Sequence, residues 1–300
     1  WDATRSSVWK DCCGSNFKGF ELTNIERYES ASLQASEIVT KSFSTSFSLG
    51  ILCLGKKIRK PIYGIYGFVR VADEIVDTFF EVDQSKVLDD FENETYLAIQ
   101  NKYSSNLILH AFQSVVNTYA ISEDLIKSFF LSMRADLSEK NHDSKSYQKY
   151  VYGSAEVVGL MCLRVFTNND KNLYDKLEAP AKKLGSAFQK VNFFRDISED
   201  YNEKGRTYFP GFEIDKNLNE KQKSSIENEI NFEFEEALKG IYSLPRSSRF
   251  GVLLACRYYK KLFKKLKSTP ADQLMSKRIR VNNFQKVLLI PTTFALSLLK

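Results

Sequence analysis

The sequence predicts an all-α protein with one domain, and three observations lead to this prediction. Of its 300 residues, 43% are hydrophobic, which is enough apolar material for a sizeable core. The chain is interrupted by only 6 prolines and 13 glycines. In most of the uninterrupted stretches, apolar residues recur at three- and four-residue spacing, as expected for helices that bury one face.

Helical spacing is found in the stretches 33–47, 63–80, 107–119, 125–137, 150–166, 181–201, 226–242 and 252–266. Turn-forming residues separate them. Pro61 and Pro180 are expected in the first turns of their helices. No repeat, linker or shift in composition divides the chain, so residues 20–300 are predicted to form one domain. Residues 1–19 are expected to be a leader, either disordered or of non-native origin.

The net charge of +6 arises from local clusters of lysine and arginine, notably at 56–60, 260–267 and 277–280. Such clusters suit an anionic substrate, a membrane surface or a solvated helix face. No nucleic-acid-binding motif accompanies them, so nucleic acid is not an expected partner. The apolar run 287–299 contains Pro291 and is shorter than the roughly 20 residues that span a bilayer. We therefore expect a soluble or peripherally membrane-attached protein.

Cysteine and histidine contexts argue against several kinds of site. The 5 cysteines show no CxxC spacing, so neither a zinc ribbon nor a disulfide framework is predicted. The 2 histidines lie outside any HExxH-like context. Histidine-based metal sites and Ser-His-Asp catalysis are therefore not expected.

The first candidate site is the segment 61–80, which is apolar on nearly all sides of a helix until it reaches three charged residues. Arg70, Asp73 and Asp77 follow one another at i, i+3 and i+7, along one stripe of that helix. A buried, unpaired carboxylate is costly. These charges must therefore face a polar cavity, a counter-charge or a metal ion.

The segment 189–200 repeats this arrangement. Asn192, Asp196 and Asp200 are spaced at i, i+4 and i+8, and Arg195 and Glu199 are expected to pair beside them. A ligand set of oxygens alone selects a hard cation such as Mg²⁺ or Mn²⁺. Either aspartate pair alone could be an ordinary exposed helix face. Two such pairs in apolar helices with adjacent arginines favour a metal site.

The residues after Asp200 indicate a helix end. Gly205 is predicted to stop the helix and to bring Arg206 and Tyr208 back towards its C-terminus. Arginine at this position could bind a phosphate through two hydrogen bonds. It could equally be the solvent-exposed arginine of a terminating loop.

These motifs resemble a known family, the head-to-head prenyl synthases that include squalene, dehydrosqualene and phytoene synthases. The resemblance extends over about residues 36–280, and its most specific parts are 66–77, 189–200 and 205–210. The segments 40–47 and 150–159 also resemble the family pattern. The chain looks most like a bacterial phytoene synthase.

The resemblance implies an isoprenoid-synthase-type helical bundle around a deep central cavity, with the two aspartate helices facing each other. It implies a metal site for Mg²⁺, with Mn²⁺ as an alternative, at Asp73, Asp77, Asn192, Asp196 and Asp200. The same aspartates, Tyr66 and Tyr150 would be catalytic. It implies that the diphosphate is bound by Arg70, Arg195, Arg206, Tyr208, Lys41, Ser42, Gln189 and Asn192. It places Phe43, Phe47, Tyr63 and Gly159 at the cavity.

The implied reaction joins two geranylgeranyl diphosphates into phytoene through a cyclopropyl diphosphate, without NADPH. Dehydrosqualene or squalene synthesis from farnesyl diphosphate is the alternative, favoured by the bulk of Phe47 and Tyr63 near positions that limit tail length in the family. A non-catalytic assembly factor of the same fold is the alternative of another class. The expected protein is cytoplasmic, peripherally bound to a membrane, and a monomer or weak dimer. Its expected partners are isoprenoid diphosphates and the membrane surface.

Overall fold

A computed structural model describes residues 22–139, 141–202, 205–211, 218–276, 278–282, 285–286 and 288–299, so the predicted leader 1–19 lies outside the described residues. The helices are α1 (Asn24–Phe43), α2 (Thr45–Leu52), α3 (Lys56–Asp77), α4 (Gln84–Asn101), α5 (Leu107–Tyr119), α6 (Glu123–Ser138), α7 (Ser144–Val151), a π-helical segment (Tyr152–Glu156), α8 (Val157–Thr167), α9 (Lys171–Asn202), α10 (Glu220–Ile241), α11 (Arg246–Lys267), α12 (Ala271–Leu274) and α13 (Leu289–Leu299). No β-strand forms among the described residues, which confirms the predicted all-α class.

The predicted helix 33–47 is in fact two helices that meet at Ser44. Ser44 has an extended backbone, with φ −145° and ψ 102°, and its side-chain oxygen accepts the N–H of Phe47. An extended residue that satisfies a free N–H in this way is an N-cap, so a new helix begins here. The prediction of one continuous helix was wrong because apolar spacing does not detect a cap.

The proline predictions were also wrong. Pro61 lies inside α3, which begins at Lys56, and Pro180 lies inside α9, which begins at Lys171. Both helices begin before the apolar spacing does. Proline lacks a donor N–H, but a helix that has already formed earlier turns can continue past it, since adding a residue to an existing helix is easier than starting one.

The predicted helix 150–166 is interrupted by the π-helical segment, which lies against α6. A Cβ on Gly153 would lie 2.0 Å from Ser132 Oγ, so only glycine allows this approach. The Ser132 hydroxyl donates to the carbonyl of Tyr150 at 3.2 Å. Short π-segments are frequent at functional sites. Here the segment directly follows Tyr150 and contributes Ser154 and Ala155 to the central cavity.

The core consists of two clusters of buried apolar residues. The first draws on α3, α4, α5, α6 and α8, and at its centre the fully buried ring of Phe68 stacks on Phe112 with centroids 3.8 Å apart. The second draws on α7, α9, α10 and α11, with Phe234 buried at its centre. The central cavity is lined by residues of both clusters. The folded core therefore forms the walls of the site.

The C-terminal helix α13 packs along α11, where the rings of Phe250 and Phe294 meet edge to face at 5.7 Å. Within the described part of the chain, no helix has the length and apolar character needed to cross a membrane.

Candidate active site

A cavity of about 330 Å³ lies at the centre of the bundle. Most of its lining is apolar, but α3 contributes Arg70 and Asp73, and α9 contributes Gln189 and Asn192. On each helix these polar residues follow apolar lining residues, Ile62 on α3 and Ala181 on α9, by about two to three turns. The cavity therefore has one polar end and one apolar end.

The predicted cavity residues divide into two groups. Phe47 and Gly159 line the cavity, whereas Phe43 and Tyr63 do not, so the prediction was wrong for the latter pair. Phe43 is the last residue of α1 and is 51% exposed, with its ring 4.6 Å from the guanidinium carbon of Arg70. Tyr63 is buried on another side of α3. Burial raises the pKa of its hydroxyl, and Glu37 of α1 adds to this shift while Lys41 of α1 opposes it.

On α3, Arg70 holds the acidic residues that follow it. Its guanidinium donates to Asp73 at 2.7 Å and to the buried carboxylate of Glu74. Thr78 donates to the other oxygen of Glu74 at 2.5 Å. The first aspartate of this helix is therefore paired with an arginine one turn away.

On α9, the expected pairing of Arg195 with Glu199 was wrong. Arg195 donates from Nε and Nη2 to both carboxylate oxygens of Asp196, at 2.8 and 2.5 Å, because this adjacent carboxylate matches its two-pronged geometry. Burial opposes the charge of Arg195, yet hydrogen bonding to Asp196 raises the pKa of the guanidinium above its ordinary value. Glu199 instead contacts Arg278 at 3.1 Å, and Arg278 also lies 2.8 Å from Asp196.

The two aspartate helices meet at Arg206. Its Nη2 donates to Asp77 of α3 at 3.0 Å, and its Nε donates to Asp200 of α9 at 3.3 Å. Gly205 has a φ of +59°, which glycine adopts without strain, and the Arg206 N–H donates to the carbonyl of Asp200 at 3.0 Å. The predicted return of Arg206 to the end of the second aspartate helix is confirmed. Its placement between the two helices was not predicted.

Asp136 of α6 is a site residue that sequence reasoning missed. Tyr150 donates to its Oδ2 at 2.7 Å, Tyr208 donates to its Oδ1 at 3.1 Å, and Arg206 Nη1 lies 3.6 Å away. Burial raises the pKa of Asp136 to about 7, although Arg206 and the two hydroxyls oppose the shift. Its spacing from Met133, a buried residue one turn earlier, could have indicated that this carboxylate faces inwards.

Arg278 and Tyr259 were missed as well. The hydroxyl of Tyr259 donates to Asn192 at 3.4 Å, and the ring of Tyr259 stacks on Phe188 with centroids 4.0 Å apart. In the sequence, Arg278 lies in the basic cluster 277–280, and Tyr259 directly follows Tyr258. Neither pattern distinguishes a site residue from a surface or core residue.

Aromatic rings surround the polar end of the cavity. Phe47 lies 5.1 Å from Tyr66 between ring centroids, and both line the cavity together with Phe188. Tyr150 also lines it, and Tyr208 behind it stacks on Phe193 at 4.0 Å. The site thus combines a charged rim with apolar, aromatic walls.

Two of the predicted diphosphate-binding residues lie on the surface. Lys41 and Ser42 are exposed at the end of α1, and Lys41 pairs with Glu37 at 2.5 Å. The contact of Phe43 with Arg70 nevertheless places this end of α1 next to the polar end of the cavity. Gln189 faces the cavity, with its amide 3.5 Å from Ser154.

The donors available to a metal ion are carboxylate and amide oxygens on α3 and α9, the ligand chemistry that Mg²⁺ prefers. Among the described residues, no three acidic, histidine or cysteine side chains converge to hold an ion by themselves. Mg²⁺ commonly binds through one or two carboxylates together with substrate phosphates and water. The donor set of these two helices therefore fits Mg²⁺ that is bound jointly with a phosphorylated ligand.

Comparison with known proteins assigns the family. A family model described as squalene/phytoene synthase matches residues 40–285, and the chain belongs to this family. Over 286 residues it is 26% identical to the chloroplastic phytoene synthase of Daucus carota. This alignment covers 87% of the present chain and 69% of the Daucus carota protein. Over 173 residues it is 26% identical to the 4,4'-diapophytoene synthase of Staphylococcus haemolyticus (strain JCSC1435), covering 57% of this chain and 59% of that protein.

Solved structures show the same fold. The structure of a dehydrosqualene synthase in complex with a ligand superposes with a TM-score of 0.75 at 21% identity, covering 90% of this chain and 98% of that one. A squalene synthase from Alicyclobacillus acidocaldarius gives a TM-score of 0.70 at 19% identity, covering 80% and 94%. The family consists of prenyltransferases that bind isoprenoid diphosphates and condense them head to head.

Proposed function

We propose that the chain condenses two molecules of geranylgeranyl diphosphate head to head into phytoene, through a cyclopropyl diphosphate and without a nicotinamide cofactor. The observation that carries this proposal is the cavity itself. One end is lined by Arg70 and Asp73 of α3 and by the amides of Gln189 and Asn192 of α9, and the other is apolar. The carboxylates that follow on the same two helices, Asp77 and Asp200, are joined by Arg206. A diphosphate with a long hydrocarbon tail matches both ends. The chloroplastic phytoene synthases among the relatives favour the C40 product.

Arginines perform the first part of the proposed mechanism. Arg70, Arg195 and Arg206 already bind carboxylates at the polar end, and a planar guanidinium binds a diphosphate equally well. Mg²⁺ or Mn²⁺, held by Asp73, Asp77, Asn192, Asp196 and Asp200, would supply positive charge that stabilises the departing diphosphate.

The aromatic walls perform the second part. An allylic cation needs surroundings that exclude water and do not quench the charge. The rings of Phe47, Tyr66 and Phe188 line the cavity and present electron-rich faces that attract a cation. The double bond of the second substrate can then attack the cation, and loss of a proton closes the cyclopropane ring of the cyclopropyl diphosphate. Ionisation of the cyclopropyl diphosphate, rearrangement and loss of a proton would complete the reaction.

Farnesyl diphosphate as substrate, with a C30 product, is the second candidate. Phe47 places a bulky ring in the cavity, which favours a shorter tail, and the diapophytoene synthase relative supports this candidate. Tyr63, the other bulky residue expected to limit tail length, does not line the cavity. Steric restriction of the tail is therefore weaker than the sequence suggests, which favours the longer substrate.

The proposal is tested by incubating the purified protein with Mg²⁺ and either geranylgeranyl or farnesyl diphosphate, without NADPH. We expect diphosphate release and a C40 hydrocarbon in the organic extract. A C30 product alone would replace the proposed substrate with farnesyl diphosphate. Absence of diphosphate release with both substrates would favour a non-catalytic assembly factor of the same fold.

The metal-binding carboxylates are tested by Asp73→Asn and Asp196→Asn. Each should abolish turnover and leave the circular dichroism spectrum of the folded protein unchanged, because the amide keeps the shape and removes the charge. Asp175→Asn is the matched control, since Asp175 is an exposed residue on the same helix as Asp196, about six turns earlier. Near-normal rates in both site variants would remove these residues from the proposed site.

The cytoplasmic location, the peripheral attachment to a membrane and the monomeric or weakly dimeric state remain predictions. The substrate and product of the proposed reaction are lipids, and Phe294 and Leu296 of α13 are exposed beside the lysine-rich helix α11. Exposed apolar side chains next to basic ones suit a membrane surface.

A further inference from the structure

Asp136 lies at the junction of three groups that the proposed mechanism uses, although neither the motifs nor the comparisons assign it a role. Its side chain is 6% exposed. It accepts hydrogen bonds from Tyr150 and Tyr208 and lies within ion-pair distance of Arg206. A buried carboxylate is costly unless such partners compensate it, so its retention here calls for a reason.

The first reason concerns the two hydroxyls. Both tyrosine hydroxyls donate to Asp136, Tyr150 to Oδ2 and Tyr208 to Oδ1, so each carboxylate oxygen holds one hydroxyl. The hydrogen of Tyr150 therefore points at the carboxylate, which fixes the orientation of a residue that lines the cavity.

The second reason concerns Arg206. Three carboxylates surround its guanidinium: Asp77 at 3.0 Å, Asp200 at 3.3 Å and Asp136 at 3.6 Å. In the proposed mechanism Asp77 and Asp200 bind metal ions. Asp136 is then the carboxylate of the three that stays available to hold the guanidinium.

We propose that Asp136 is a positioning residue that holds Arg206 for the diphosphate and fixes the hydroxyl orientation of Tyr150 and Tyr208 during the reaction. This inference rests on the proposed function. It assigns Asp136 no contact with the substrate and no proton transfer. Its effect passes through the three side chains that it touches.

The first test is Asp136→Asn. The amide keeps the shape of the side chain, but it has no charge, and one of its two ends donates instead of accepting, so one hydroxyl must turn. Misplacement of a catalytic group by about 1 Å can cost about 100-fold in rate. We expect kcat to fall about 100-fold, with KM rising by no more than about tenfold. Asp124→Asn, an exposed substitution on the same helix, should leave both constants unchanged.

The second test measures coupling to Arg206. If Asp136 acts through Arg206, Asp136→Asn should reduce kcat much less in an Arg206→Lys background than in the wild type, because interacting residues are not additive. Calorimetric titration with inorganic pyrophosphate and Mg²⁺ gives a readout that does not depend on turnover. We expect both single variants to weaken pyrophosphate binding about tenfold, and the double variant to weaken it no further.

A third variant, Tyr208→Phe, keeps the ring that stacks on Phe193 and removes only the hydroxyl. It should lower kcat about tenfold, and it still tests the inference if Asp136→Asn does not fold. Wild-type kcat and pyrophosphate affinity in the Asp136 or Tyr208 variants would refute the positioning role. Fully additive losses with Arg206→Lys would refute it too. A wild-type protein that releases no diphosphate would refute the proposed function instead, while the pyrophosphate titration would still decide whether Asp136 positions Arg206.

Discussion

Gly185→Ala should destabilise the protein, because at Gly185 the helix α9 approaches the π-helical segment too closely for a side chain. A Cβ at this position would lie 2.6 Å from the carbonyl oxygen of Ala155 and 3.2 Å from the Cα of Glu156. These are backbone atoms, which cannot rotate away as a side chain can. The helix and the π-helical segment must therefore move apart along the wall of the cavity.

The expected size of the effect follows from two opposing contributions. Overpacking typically costs about 1–3 kcal/mol, and because the clash here is with backbone atoms we expect the upper part of that range, about 2–3 kcal/mol. Alanine in a helix regains about 1 kcal/mol relative to glycine, which leaves a net loss of about 1–2 kcal/mol. At about 2–4 °C per kcal/mol, this corresponds to a fall in Tm of about 2–8 °C. Differential scanning calorimetry of the purified variant measures it directly.

Gly50→Ala is the matched control. Gly50 also lies in a helix and also lines the cavity, but a Cβ there would meet Ala255 Cβ at 3.6 Å, an ordinary contact. We therefore expect a gain of about 0.4–1 kcal/mol from the lower entropy of the unfolded chain. Equal stability of Gly185→Ala and wild type, or shifts of the same sign in both variants, would refute this interpretation of the packing.

Two further predictions concern buried ionisable groups. Lys190→Met should lower the free energy of unfolding in urea by about 3 kcal/mol, because it removes the cation 2.7 Å from the buried carboxylate of Glu233. Glu233 is left with the more distant Lys183 at 3.5 Å and the neutral hydroxyl of Ser186 at 2.9 Å. A loss below about 1 kcal/mol would contradict this. Burial lowers the pKa of His110 below its ordinary 6.5, so His110 stabilises the fold above pH 6.5 and this stability is lost as the pH falls towards the folded-state pKa. The N–H of Ser104, which donates to His110 Nδ1 at 3.3 Å, opposes protonation there. His110→Gln should therefore lose less Tm than wild type between pH 7.5 and 5.5, and equal losses would be evidence against it.

The positions of most helices could be predicted because apolar spacing directly reports which helix face is buried. The breaks could not. Ser44 ends one helix and caps the next through a single hydrogen bond to the N–H of Phe47, and the π-helical segment depends on the contact between Gly153 and Ser132. Both features arise from one residue meeting its neighbours. Periodicity averaged over a stretch of the chain does not contain that information.

The candidate site divides along similar lines. The sequence predicted the aspartate stripes because residues three and four positions apart share a helix face. Contacts between helices were not predictable in this way. Arg206 contacts Asp77, which is 129 residues away in the chain, and Asp136 enters the site from α6, a helix without a motif. Phe43 and Tyr63 show the converse, because proximity to a motif in sequence did not bring them into the cavity.

Charge balance explains how two acidic helices can line the same cavity in an apolar bundle. Each motif aspartate contacts an arginine, in the pairs Arg70–Asp73, Arg206–Asp77, Arg195–Asp196 and Arg206–Asp200. Without these partners the neighbouring carboxylates, which range from 10% exposed at Asp200 to 38% exposed at Asp73, would repel one another. In the proposed reaction the same groups exchange partners, since the arginines can turn to the diphosphate as the carboxylates turn to metal ions. Opposite charges then remain paired at every stage, and the site can take up a highly charged substrate without leaving a buried charge uncompensated.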